Sequence, residues 1–162
     1  AEIVGVPGSG RLGLVIPAVA ALTRRGRPVV VIDAMEQVFP PGWAHAMVGD
    51  GAVGEGVELS ALWLVRPGLD RAAWAAEQVA RSGAVEVVVL VDPPRLGRHA
   101  VRLGRACEAG GSTLFVVAEQ EEPDLPAVVR LHVKGQDSAG LRVACTRSRD
   151  GRQVGERVVA AV

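Results

Sequence analysis

The sequence is short of net charge, cysteine, lysine and long apolar runs, and each shortage removes a class of function. Eighteen basic and eighteen acidic residues cancel to a formal charge of zero. No bulk positive field therefore argues for nucleic acid, and no acidic tail argues for disorder. The two cysteines, Cys107 and Cys145, are far apart and stand in no metal-ligand spacing, which points to a reduced, cytoplasmic compartment. His45, His99 and His132 are scattered, with no carboxylate or cysteine at ligand spacing and no Ser, His, Asp arrangement, so they read as structural. Lysine occurs once, at Lys134, and the rest of the basic set is arginine, a pattern that fits compositional bias better than a preference for bidentate contacts. No stretch reaches the roughly twenty uninterrupted apolar residues of a membrane span, and no signal peptide is visible.

What is present is an apolar chain of ordinary domain size. With 162 residues, 49% of them hydrophobic, it can bury one core. It starts on an apolar strand without a methionine, so the expectation is a single domain over residues 1–162, trimmed at its termini. Short β-branched runs alternate with helical patterns, which is the signature of parallel βαβ units. Strands are expected at Glu2 to Val6, Pro28 to Ile32, Leu62 to Val65, Val85 to Val91 and Thr113 to Val117, each apolar enough to be covered on both faces. Helices are expected near Arg11 to Arg25, Gly42 to Met47, Arg71 to Ser82 and Gly97 to Ala109, several closing on Gly26, Gly83 or Gly110. The glycine-rich segment Val48 to Glu58 reads as a loop. After Pro126 the rhythm alternates over Val128 to Val133, Leu141 to Thr146 and Val154 to Val159, which predicts an antiparallel meander. The turn Arg149, Asp150, Gly151, Arg152 carries the Asp-Gly pair favoured at positive φ.

The run Gly5, Val6, Pro7, Gly8, Ser9, Gly10, Arg11, Leu12 follows a strand and opens a helix, the context and spacing of a phosphate loop. A hydrolytic loop needs a lysine after the last glycine, to neutralise the β and γ phosphates, and then a hydroxyl to hold magnesium. Those places carry Arg11 and Leu12. Arginine keeps a positive charge beside a helix N-terminus, but leucine offers a metal no oxygen, so magnesium-assisted phosphoryl transfer is not expected. Two readings stay open for Gly5, Gly8, Ser9, Gly10 and Arg11: a strand-to-helix turn without a ligand, or residual binding of an anion or nucleotide. Pro17, inside the following helical pattern, predicts a kink.

Together these pieces resemble the core of RecA. The match runs from Ile3 through the loop to Gly26 and on to Val31, Ile32, Asp33, Ala34, similar to an IDAE strand end. Ala80, Arg81, Ser82, Gly83, Ala84, Val85 resembles the ARSGAVD segment, and Ser112, Thr113, Leu114 lead to Gln120, the place of a nucleotide-sensing glutamine. The departures fall on the chemistry. The resemblance places Met35 where RecA has its catalytic glutamate and Val91 where it has a second acidic residue, with Glu36 and Asp92 each displaced by one. Because a slip of one residue in a strand reverses the face addressed, Glu36 and Asp92 are not expected to substitute. Both RecA DNA loops are shortened here: one to Asp92, Pro93, Pro94, Arg95, Leu96, the other to the acidic Glu121, Glu122, Pro123, Asp124, Leu125, Pro126, which repels phosphate.

Leu62, Trp63, Leu64, Val65, Arg66, Pro67, then Ala73, Trp74, Ala75, Ala76, Glu77, Gln78, and later Arg147 to Arg152, resemble the ImuA family of shortened RecA-like proteins from bacterial mutagenesis cassettes. That resemblance implies an α/β fold with a RecA-like, mostly parallel central sheet flanked by helices and a C-terminal antiparallel meander. It further implies a non-enzymatic accessory in SOS-induced error-prone translesion synthesis, without a cofactor. The implied partners are RecA, ImuB and an error-prone DNA polymerase III alpha-type subunit, with DNA met mainly indirectly, no membrane, and association with the nucleoid after damage.

Arg95, Arg98, Arg102 and Arg105 recur at helical spacing as one basic stripe, opposite Ala100, Leu103 and Cys107. The stripe reads either as a solvated face or as a docking surface for an acidic partner or DNA phosphates. Trp43, Trp63 and Trp74 are expected to pack in the core, and both cysteines to be buried and inert.

Overall fold

The structure is a computed structural model that describes residues 1–46, 56–137, 140–149 and 155–159. Its strands are β1 (Glu2–Val4), β2 (Val29–Asp33), β3 (Leu62–Val65), β4 (Val87–Val91), β5 (Thr113–Ala118), β6 (Val129–Asp137), β7 (Gly140–Ser148) and β8 (Arg157–Val159). Its helices are α1 (Ile16–Thr23), α2 (Pro40–Ala44), α3 (Ala72–Arg81) and α4 (Arg98–Gly110). The strands form one sheet in the order β3-β2-β4-β5-β1-β6-β7-β8.

The central strands explain the layering. β2 (VVVID) and β4 (VVVLV) are buried along their whole length, and β-branched side chains suit a pleated strand that is covered twice. Alternate residues then serve opposite faces. Val30, Ile32, Val88 and Leu90 meet Ala72, Ala76 and Ala80 of α3 and Ala100, Leu103 and Ala106 of α4. Val29, Val31, Val87 and Val89 meet Val15, Val19 and Ala20 around α1, with Trp43 of α2. The small faces of α3 and α4 let the two helices approach until Gly110 lies against the Ala80 carbonyl, where a side chain at 110 has no room. Glu77, fully buried between them, accepts from Arg81 Nη2 at 2.7 Å and from Arg102 Nη2 at 3.0 Å.

Several expectations change. The helix predicted over Arg11 to Arg25 is a 3-10 turn, Arg11–Leu14, followed by α1. Pro17 lies in the first turn of α1, where its missing N–H costs nothing, so the helix restarts instead of kinking. The helix expected at Gly42 to Met47 begins earlier, on Pro40, and Met47 lies outside the described residues. The antiparallel meander is present and continues the main sheet. β6 runs parallel to β1, pairing Glu2 with Arg130 and Val4 with His132, and the antiparallel pairs are β6 with β7 and β7 with β8. Most of the loop Val48 to Glu58, and Asp150, Gly151, Arg152 and Val154, lie outside the described residues. Among the described residues no helix is long and apolar enough to cross a membrane.

Trp43 is buried, as the sequence suggests, but Trp63 and Trp74 are 54% and 53% exposed. β3 is the edge of the sheet, hydrogen-bonded to β2 alone, and sequence pattern does not reveal which strand is outermost. Cys107 and Cys145 are free and half-buried. Burial pushes the Cys107 thiol up from its ordinary value, which suppresses the reactive thiolate.

Candidate functional site: the glycine loop after β1

The chain leaves β1 at Val4, and Gly5 donates to the Ala118 carbonyl at 3.1 Å, keeping the loop over the C-terminal end of the sheet. Ser9 N–H returns to the Val6 carbonyl at 3.1 Å, closing a tight turn whose Gly8 and Gly10 have φ of 80° and 87°. At Gly10 that left-handed backbone is pressed by Leu141 of β7, itself 2% exposed, so a Cβ there would both strain the loop and collide with the hairpin. Ser9 is buried, and its Oγ has no hydrogen-bond partner among the described residues.

Arg11, the first residue of the 3-10 turn, points inward. It is 3% exposed. Nη1 donates to the Gly5 carbonyl at 2.8 Å, and Nη2 donates to Gln37 Oε1 at 3.3 Å and forms an ion pair with Asp92. The cation that would meet a phosphate is thus held by a carbonyl, an amide and a carboxylate of the same chain. Leu12 packs at the margin of the α1-side core.

The displaced acidic residues take different courses. Asp92, just beyond β4, adopts a left-handed φ of 39° and anchors its N–H on the Val117 carbonyl at 2.8 Å, which turns its carboxylate back towards Arg11. The one-residue displacement of Asp92 thus leaves it beside the loop, because this bend returns its carboxylate to Arg11. Glu36 also has a positive φ, 55°, but its exposed side chain does not line the site. Burial pushes the Asp92 carboxyl up from its ordinary value, against the opposing pull of the Arg11 guanidinium and Gln37. Asp33, fully buried, accepts from Gln37 N at 3.0 Å and Val38 N at 2.8 Å, and so shapes the turn that presents Met35.

Beside this pair a cavity of about 400 Å³ opens at the C-terminal ends of β2, β4 and β5, the usual ligand position of an open α/β sheet. One wall is apolar, from Met35, Leu69, Pro93 and Pro94, and the other is the acidic segment after β5. That segment is tied down. Glu121 pairs with Arg130 Nη1 at 2.7 Å and lies 2.6 Å from His132 Nε2, and Glu122 accepts from Leu96 N at 2.7 Å. Glu122 N donates to the fully buried Glu2 at 2.6 Å, and Glu2 pairs with Arg130. The parallel pairing of β6 with β1 brings His132 beside Glu121.

The predicted arginine stripe divides. α4 begins at Arg98, so Arg95 lies off the helix, within 3.3 Å of Gln120 Oε1 and 3.4 Å of the Glu121 carbonyl. Arg102 is committed to Glu77. Arg98 and Arg105 stay exposed, without an ion pair among the described residues.

No protein-family model matches the chain. It is similar to Protein RecA of Treponema denticola and of Treponema pallidum, each 34% identical over 90 residues and 55% of this chain. The chain spans about a fifth of the length of those curated relatives. Among solved structures it is similar to SulA from Pseudomonas aeruginosa, at a TM-score of 0.54 and 15% identity, covering 73% of this chain and 95% of that one. The structural likeness concerns the fold alone, and the sequence matches support a RecA-related protein.

Proposed function

We propose that this chain is a non-catalytic RecA-like accessory of SOS-induced error-prone translesion synthesis, working through contacts with RecA, an ImuB-type protein or an error-prone polymerase. The observation that carries the reading is the inward commitment of Arg11 to Gly5 and Asp92, which leaves the loop without an outward cation, while Leu12 supplies no metal ligand. A loop of this kind has no means of neutralising transferring phosphates. The RecA matches and the ImuA-like segments around Trp63 and Trp74 support the cellular setting.

The open β3 edge supports the mode of action. Exposed strand edges and exposed tryptophans are both features of protein interfaces. The test is capture of RecA, an ImuB-type protein and the polymerase by the intact chain, in parallel with Trp63→Glu/Trp74→Glu and Arg98→Glu/Arg105→Glu. Loss of one partner in the tryptophan variant with wild-type melting is the expected result. Capture of none of the three by the parent protein refutes the proposal.

The phosphate-loop spacing of Gly5, Gly8 and Gly10 leaves a second reading, a nucleotide-binding or weakly hydrolysing RecA paralogue that touches DNA directly. Saturable, magnesium-dependent ATP binding and steeply salt-dependent DNA binding are its signatures.

A further inference from the structure

We propose that the cavity at the strand ends is a docking cleft for an arginine of a partner protein, flanked by an apolar residue. The inference rests on the contact-based function above and names the chemistry of one contact. Four carboxylates line the cavity, those of Asp92, Glu119, Glu121 and Glu122, against the single cation of Arg95. Asp92 is paired with Arg11, Glu121 with Arg130, and Glu122 accepts from the Leu96 N–H. Glu119 is different. It is exposed at the rim, has no ion pair among the described residues, and lies close enough for its charge to raise the Asp92 carboxyl.

This charge pattern repels a polyphosphate and attracts a cation. The opposite wall adds a second requirement. Met35 and Leu69 are 49% and 47% exposed, large apolar side chains facing a concave space beside the Pro93 and Pro94 rings. An arginine fits both walls: its aliphatic stem covers methionine and proline, and its planar guanidinium meets a carboxylate in a bidentate fork. Arg95 lines the same cavity but reaches Gln120 and the Glu121 carbonyl, at 3.3 and 3.4 Å, and not Glu119.

The sequence supplies a reporter, because its two methionines are Met35 and Met47. The intact chain, labelled with carbon-13 at the methionine methyls, is titrated with acetyl-leucyl-arginine amide, with acetyl-leucyl-glutamate amide and with magnesium ATP. The expected result is a saturable shift of the Met35 methyl with the arginine dipeptide alone, weakened at least tenfold by Glu119→Arg, a change at an exposed, unpaired site. No Met35 response to the arginine dipeptide, or an equal response to the glutamate one, overturns the cleft while leaving partner capture as a separate result. A saturable response to magnesium ATP overturns the cleft, and release of phosphate from that ATP is the separate result that overturns the non-catalytic reading.

Discussion

The glycine loop and the β3 edge treat their side chains in opposite ways. At the loop a guanidinium is hidden, whereas Trp63 on the β3 edge and Trp74 on α3 are left in solvent, the reverse of ordinary burial preference. A buried charge persists only when it is paired, and Arg11 is paired within its own chain. A large exposed apolar surface is costly unless something covers it. The contrast teaches that a glycine loop can keep its tight turn while its cation is committed inside the chain, and that the exposed large apolar side chains lie elsewhere.

The largest test removes one half of the buried pair. Asp92→Ala strands Arg11 and is expected to cost about 3 kcal/mol, lowering the melting temperature by roughly 6–12 °C. The double change Arg11→Met/Asp92→Leu is expected to melt within about 1 kcal/mol of the parent, since a matched apolar pair replaces a matched ionic one. A double variant as unstable as the single one breaks the claim that the pair is a self-contained plug.

Arg102→Glu sharpens the division of the arginine stripe. It sets a carboxylate against the buried Glu77 and is expected to cost about 1–2 kcal/mol, whereas Arg98→Glu/Arg105→Glu stays within about 0.5 kcal/mol in the same denaturant titration.

Asp92 also has a pH signature. Its folded value is raised above the ordinary 3.8, so the folded state binds the extra proton in the interval between the two values. Its contribution is therefore fully present below 3.8 and is lost as pH rises through the raised value. The stability of the parent relative to Asp92→Asn should fall across that interval, and a rising difference contradicts the assignment. The smallest effect on stability is expected at the exposed tryptophans of β3 and α3: Trp63→Ser and Trp74→Ser melt within about 0.5 kcal/mol of the parent, yet reduce partner capture.

The parallel strands were legible because their β-branched runs report burial on both faces directly, as in Val29 to Ile32 and Val87 to Val91. Exposure at Trp63 was not legible, because it depends on β3 being outermost, which follows from strand order and not from local pattern. The residues of the loop were legible by spacing, but the destiny of Arg11 was not. Its partner Asp92 is 81 positions away and reaches it only through a left-handed bend that a strand-register argument does not anticipate. The tie between Glu2 and Arg130, 128 positions apart, needs the β1–β6 register for the same reason.

The most direct test of the inward arginine is a calorimetric titration of magnesium ATP into the intact protein. The closed loop predicts no saturable heat at millimolar nucleotide. Micromolar, magnesium-dependent binding would show that Arg11 leaves Asp92 for a phosphate, and would contradict the account.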